Sequence, residues 1–272
     1  IAELFDLAEQ ITKLPIKKLC FQGPINELSE TKNLQPAILT VSLAAYKLFS
    51  AKGVKPSFAA GHSLGEFGAL VASGVLTESE ALELVAKRAV LMQKNAQEKP
   101  GAMSAILNLD EQTILSICEL ARNEGIVVAA NFNTPVQTVI SGESRAVAAA
   151  TRYVTLKGGK ALALPVSGAF HSPLMQQAAK DFSEILDGVE FKTPLFPVLP
   201  NALGSPVSDP KVLKDILKKQ IISPVRWTTT VESLYNAGAR RFYECWPRPY
   251  IGSLIKKSLP KDSEAVDIQV AK

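Results

Sequence analysis

Histidine and cysteine are scarce in this chain, whose 272 residues carry two of the first and three of the second. Cys20, Cys118 and Cys245 stand far apart with no Cys-x-x-Cys spacing and too few histidines nearby, which excludes a zinc site; no metal is expected. The cysteines read instead as reduced thiols of a cytoplasmic protein. Long apolar runs are missing as well. The longest, at residues 69–71 and 102–107, fall far short of the ~20 residues that cross a bilayer, so no membrane association is expected. Nor is charge concentrated: 30 Lys and Arg against 26 Asp and Glu give a formal +4, with no dense basic arm and no interleaved aromatics, which argues against nucleic acid. Internal repeats and low-complexity segments are absent. The chain opens on Ile1 rather than methionine, and a preceding segment is expected on that ground.

What is present is a globular composition, 47% hydrophobic and 21% charged, long enough for a proper core. Its most informative stretch is Ala60-Gly61-His62-Ser63-Leu64-Gly65-Glu66. Residues 56–60 read as a short buried strand and residues 66–73 as a helix stopped by Gly74, so Ser63 falls on a strand-to-helix bend. That is the setting of a nucleophile elbow. Gly61 and Gly65 flank the serine, where missing side chains would let strand and helix approach while Ser63 holds a strained backbone. The bend also puts Ser63 at a helix N-terminus, where free N–H groups favour an oxyanion, and the Leu64 N–H is the first donor to name.

The flanking pattern is α/β. Residues 34–52 read as a helix with Pro36 in its first turn, and Thr77-Glu78-Ser79-Glu80 is a capping box opening a helix that runs to about residue 97. From Gly101 the order changes to strand 101–107, helix 111–123, strands 126–131 and 137–142, helix 144–157 and strand 161–166. This βαββαβ order predicts a ferredoxin-like small subdomain at residues 100–166, inserted in a core made of residues 1–99 and 167–272. Beyond it come a helix at 173–186, a strand near 197–199, a helix at 210–221 and a strand within 238–245. Residues from 260 on read as a frayed polar tail.

A serine nucleophile needs a base within hydrogen-bond reach. His62 is adjacent, but successive side chains at a strand end point to opposite faces, which leaves His171 in the loop before residue 173. No Asp or Glu sits at an obvious orienting position, and a backbone carbonyl would suffice to fix the imidazole tautomer. Arg88 falls in the apolar arc of its helix, between Leu84 and Met92. A guanidinium there must meet either a protein carboxylate or an acidic group of the substrate.

Taken together, the motifs resemble the malonyl-CoA:acyl carrier protein transacylases and the acyltransferase domains of polyketide synthases. The matching stretches are Gln35-Pro36-Ala37, Gly61 to Glu66, Arg88 with Met92-Gln93, Gly101-Ala102-Met103, Asn131-Phe132-Asn133-Thr134-Pro135 with Gln137, Gly168-Ala169-Phe170-His171-Ser172, and Gln220 with Ser223-Pro224-Val225-Arg226-Trp227. They run in family order along nearly the whole chain. The resemblance implies a hydrolase-like core with a parallel sheet, no cofactor, and transfer of malonyl from coenzyme A to the phosphopantetheine thiol of acyl carrier protein in fatty acid biosynthesis. It implies Ser63 as nucleophile, His171 as general base and acid, and Leu64 as an oxyanion donor. Gln220 would orient His171 through its carbonyl, Arg88 would bind the malonyl carboxylate, Phe170 would exclude an α-methyl branch, and Gln35 would line the substrate site.

Two departures stand out. The family pattern begins with Gly-Gln-Gly-x-Gln, whose last glutamine serves the oxyanion hole, and residues 1–272 do not include it. Near the C-terminus Trp246-Pro247-Arg248 replaces the family's Gly-Pro-Gly. Two rival readings remain at this point: a serine esterase or thioesterase, and a non-catalytic module that binds a carrier protein. A basic rim of Lys211, Lys214, Lys218, Arg248, Lys256 and Lys257 would suit an acidic carrier protein.

Overall fold

The computed structural model describes residues 1–246, 249–260 and 263–271. The chain opens with three short helices, α1 (Ala2–Thr12), α2 (Ile16–Phe21) and α3 (Ile25–Leu28), followed by the long α4 (Thr31–Ala51). Helix α4 starts about a turn before the expected residue 34, so Pro36 lies inside it rather than in its first turn. There the proline leaves the carbonyl four residues back without its helical N–H. Strand β1 (Ala59–Ala60) leads through the elbow into α5 (Gly65–Ala72), and α6 (Glu78–Glu98) follows. The capping box of α6 is complete: Thr77 Oγ1 accepts the Glu80 N–H at 3.2 Å, and Glu80 Oε2 accepts the Thr77 N–H at 2.7 Å.

The middle of the chain contributes β2 (Ala102–Leu107), α7 (Glu111–Leu120), β3 (Val127–Thr134), β4 (Gln137–Gly142), α8 (Ser144–Leu156) and β5 (Lys160–Ala163). Its strands form one antiparallel sheet in the order β3-β4-β2-β5. Period-two alternation divides the sheet residues. Ile106 and Ile140 join Ile114, Ile117, Val147 and Val154 of the helices in one core, while Met103, Ala105, Ala130 and Val139 cover the other face with Leu164 and Phe170.

The last part runs through α9 (Gln176–Asp187), β6 (Val198–Leu199), α10 (Pro210–Lys219), α11 (Trp227–Asn236), β7 (Arg241–Glu244), α12 (Ile251–Ser258) and β8 (Asp267–Val270). β1 and β6 pair in parallel, as do β7 and β8. The molecule is therefore an α/β protein with both parallel and antiparallel sheets. The largest core joins α1, α4, α5, α6, α9 and α10 around Phe67, Leu82, Phe182 and Leu217. Among the described residues no helix is long and apolar enough to cross a membrane.

Two sequence expectations are corrected here. The strand expected at residues 56–60 is only two residues long and half-buried, because its partner β6 is bracketed by Pro197 and Pro200, which have no N–H to extend a ladder. The tail beyond residue 260 is not simply frayed, since β8 pairs residue for residue with β7. The alternating Val266-Asp267-Ile268-Gln269-Val270 carried that strand signal.

Candidate active site

The elbow begins where the β1–β6 ladder stops. Ser63 has φ 50°, in the left-handed region, so the chain reverses at a residue that does not favour this conformation. Gly61 makes the turn sterically open: a Cβ there would sit 2.0 Å from the backbone C and O of Gly65. Gly65 itself is not required in this way, because a Cβ added to it meets nothing within 4 Å. The expected symmetry of the two flanking glycines is thus replaced by a single close approach, on the Gly61 side.

His171 reaches the serine from the loop before a 3-10 turn at Pro173–Met175. Its Nε2 lies 2.8 Å from Ser63 Oγ, while Nδ1 is 3.1 Å from the Gln220 carbonyl and 3.0 Å from the Ser223 carbonyl. Carbonyls only accept, so the proton sits on Nδ1 and Nε2 is left to accept from the serine hydroxyl. The expected Gln220 carbonyl is in place, and Ser223 joins it. Burial lowers the His171 pKa to about 3, assisted by the Arg88 and His62 charges and opposed by the two carbonyls. The imidazole is therefore neutral, with its Nε2 lone pair turned to the Ser63 hydroxyl. His62 faces elsewhere, with Nε2 2.8 Å from Asn133 Oδ1 and its ring 5.6 Å from that of Trp227.

The N–H groups at the start of α5 are nearly all spoken for. Gly65 N–H donates to His62 O, Glu66 N–H to Ser63 O and Phe67 N–H to Leu64 O, and Ser63 N–H donates to Asn201 Oδ1 at 2.6 Å. In this run the Leu64 N–H alone has no partner among the described residues, and it adjoins the nucleophile. Elimination by geometry thus singles out the same donor that the sequence does.

Arg88 is 1% exposed, yet no carboxylate among the described residues lies within ion-pair distance of it. Its Nη1 donates to Gln35 Oε1 at 2.5 Å, its Nη2 donates to Gln220 Oε1 at 2.9 Å, and Nη2 also stands 3.4 Å from Ser63 Oγ. Burial lowers its pKa to about 10, partly offset by Glu66, so it stays cationic at neutral pH. Gln35 is thus placed as a holder of Arg88. Phe170, half-buried, touches both the main core and the inner face of the four-stranded sheet.

Three groups at the site escaped sequence reasoning. Glu66 is 2% exposed and accepts on Oε2 from Asn201 N–H and Gln220 Nε2, both at 3.1 Å. Burial raises its pKa to about 7 against those bonds and the Arg88 charge. Asn201, also 2% exposed, bonds to Ser63 and Gly61, and Ser223 supplies the second carbonyl to His171. Among the described residues no group of three or more His, Cys, Asp or Glu is placed to hold a metal ion.

Of the basic rim, Lys211, Lys256 and Lys257 are exposed. Lys214 Nζ instead donates to the Asp187 and Val189 carbonyls, and Lys218 pairs with Asp187 at 2.5 Å, so neither cation is wholly free. Pro247 and Arg248, the last two residues of the altered Trp246-Pro247-Arg248 segment, lie outside the described residues.

Residues 5–271 match the acyl transferase domain family. The malonyl CoA-acyl carrier protein transacylase of Bacillus subtilis strain 168 is 38% identical over 256 residues, covering 93% of this chain and 81% of that one. The crystal structure of an acyl-carrier-protein S-malonyltransferase from Burkholderia pseudomallei superposes with a TM-score of 0.93 at 38% identity, covering 99% of this chain and 87% of the other. A malonyl-transacylase solved in complex with a type II PKS acyl-carrier protein gives a TM-score of 0.92 at 36% identity, with 98% and 86% covered. The chain belongs to the acyl transferase domain family, among the malonyl CoA-acyl carrier protein transacylases.

Proposed function

We propose that this protein transfers malonyl from coenzyme A to the phosphopantetheine thiol of acyl carrier protein, in fatty acid biosynthesis, through a malonyl ester on Ser63. The observation that carries this reading is the placing of a buried Arg88 cation, held by neutral amides, 3.4 Å from the Oγ of a serine bonded to an imidazole. A plain esterase or thioesterase has no use for that cation, whereas an acyl group ending in a carboxylate supplies its missing counter-charge.

The steps follow from the geometry. His171 Nε2 takes the hydroxyl proton as Ser63 Oγ attacks the thioester carbonyl, and the oxyanion forms against the Leu64 N–H. Collapse breaks the C–S bond, and His171 returns the proton to the departing coenzyme A thiolate. In the second half the carrier-protein thiol gives its proton to His171 and attacks the ester. The C–O bond then breaks, and Ser63 recovers its proton. Each half exchanges an acyl group between oxygen and sulfur without change of oxidation state, so no cofactor is called for. The Gln220 and Ser223 carbonyls keep the Nδ1 proton in place throughout, Gln35 steadies Arg88, and Phe170 narrows the space beside the malonyl methylene.

The architecture that serves this chemistry is read as a hydrolase-like core of residues 1–99 and 167–272 with a ferredoxin-like subdomain at 100–166. The antiparallel order β3-β4-β2-β5 and the parallel β1–β6 pair beside the elbow support that division. The three free cysteines support a cytoplasmic location. The exposed Lys211, Lys256 and Lys257 are offered as part of the carrier-protein rim.

The test is intact-protein mass after incubation with malonyl-CoA, followed by addition of holo acyl carrier protein. A malonyl adduct confined to Ser63 that moves to the carrier faster than it hydrolyses is expected. Hydrolysis outrunning transfer would give the esterase reading, and no adduct would give a non-catalytic binding module.

A further inference from the structure

The nucleophile is gripped on both sides by side-chain amides from distant parts of the chain. Asn201 Oδ1 accepts the Ser63 N–H at 2.6 Å, and Gln220 Nε2 donates to the Ser63 carbonyl at 2.9 Å. Asn201 Nδ2 meanwhile donates to the Gly61 carbonyl at 2.6 Å, so one planar carboxamide spans the turn from Gly61 to Ser63. Its own N–H is tied to Glu66 Oε2 at 3.1 Å, in the first turn of α5.

This clamp stands where the sheet gives out. The parallel ladder holds Ala59 to Val198 and Ala60 to Leu199 and then ends, and Asn201 stands two residues after Leu199, in the turn that follows β6. A backbone ladder cannot continue, because Ser63 turns to φ 50°. The Asn201 side chain supplies one acceptor and one donor at that point, as a further pair of strand residues would do. It also satisfies the Ser63 N–H, which removes that group from competition and leaves Leu64 as the open donor.

We propose that Asn201 is the positioning residue of the elbow: its carboxamide holds Ser63 in the left-handed conformation that points Oγ at His171 and leaves the Leu64 N–H free for the oxyanion. The identity of the acyl donor rests on the malonyl-transfer reading, but the positioning of Ser63 can be tested apart from it.

The experiment compares wild type, Asn201→Ala and Asn201→Asp. It measures the rate of Ser63 acylation per titrated active site, once with malonyl-CoA and once with a p-nitrophenyl ester, alongside the melting temperature. Loss of placement at a reacting atom costs on the order of 100-fold, so Asn201→Ala should lose about that much acylation rate with both donors. KM for malonyl-CoA should move less than about threefold, because the Arg88 anchor is untouched and the loss falls on kcat. Asn201→Asp keeps the acceptor for Ser63 but loses the donor to Gly61, and should fall between the two. A rate per active site within about twofold of wild type, with only the melting temperature lowered, overturns the proposal. Should Asn201→Ala not fold, Asn201→Asp decides by the same criterion. If wild type reacts with the ester but not with malonyl-CoA, the malonyl reading fails while the ester rates still judge Asn201.

Discussion

Arg88 Nη2 stands 3.4 Å from Ser63 Oγ, and both groups bond on their other sides to neutral or aromatic-ring nitrogen and amide partners rather than to a carboxylate. The site thus keeps a full positive charge beside the atom that would carry the acyl group. A buried cation with no close counter-ion is costly by itself, and a carboxylate arriving with the substrate relieves that cost.

Arg88→Ala should therefore separate donors by charge. Removing one partner of a buried, hydrogen-bonded charge pair costs about 2–5 kcal/mol, which corresponds to a fall in kcat/KM for malonyl-CoA of roughly 30-fold or more. Acetyl-CoA, with no carboxylate, should lose far less. Parallel kinetics with the two thioesters check this, and equal losses would refute a carboxylate-binding role. Arg88→Lys should not restore the malonyl rate, because an ammonium cannot reach Gln35, Gln220 and the substrate from one planar fork.

The glycines of the elbow should prove unequal. In Gly61→Ala the new Cβ would lie 2.0 Å from backbone atoms of Gly65, so strand and helix must separate and the variant should lose stability and Ser63 reactivity together. Gly65→Ala meets open space at the first position of α5, where replacing glycine by alanine stabilises by about 0.4–1 kcal/mol. Thermal unfolding of the two variants measures the contrast. A comparable loss in both would mean that the Gly65 position is crowded after all.

What the sequence makes legible follows from how local the signal is. Ser63 announces itself through its own neighbours, and His171 through the lack of any other usable imidazole. Arg88 emerges because a 3.6-residue period places it among Leu84 and Met92 without knowledge of the partner. Asn201 and Glu66 have no such local mark. Glu66 reads as an ordinary acidic residue in a first helical turn, and only bonds to residues 135 and 154 positions away make it a buried junction. The second carbonyl on His171 is a backbone atom of Ser223, and a backbone atom leaves no trace in residue type. The strand β8 was legible in its alternation, but polar composition around residue 260 outweighed five residues of period two.

Phe170 should control branching at the acyl group. Its ring lies half-buried between the main core and the sheet, and a Cβ at Gly168 would approach it to 2.6 Å, so the ring has little freedom to withdraw. Phe170→Ala opens that space. One methylene in an apolar pocket is worth about 1–3 kcal/mol, so the ratio of kcat/KM for methylmalonyl-CoA over malonyl-CoA should rise roughly tenfold or more. An unchanged ratio would place the selective wall elsewhere.

The pH dependence of folding should expose two buried groups that pull in opposite directions. Glu66 is raised to about 7 by burial, so between its ordinary value near 4.5 and 7 the native state holds a proton that the unfolded chain releases. Its contribution is therefore full below about pH 4.5 and is lost as pH rises through 7. His171 is lowered from 6.5 to about 3, also by burial, so the unfolded chain binds a proton that the native state refuses. Its contribution is full above pH 6.5 and is lost as pH falls toward 3. From about pH 4.5 to 6.5 the Glu66 and His171 slopes oppose each other, and His62, whose pKa burial also lowers, adds to the His171 side. Glu66→Gln leaves His171 unopposed, and its stability should climb with pH across that window more steeply than in wild type. His171→Gln leaves only His62 against Glu66, and its stability should rise less with pH across that window than that of wild type. Urea unfolding at half-unit steps of pH measures both slopes, and a wild-type-like profile in Glu66→Gln would show that Glu66 ionises in the folded protein at its ordinary pH.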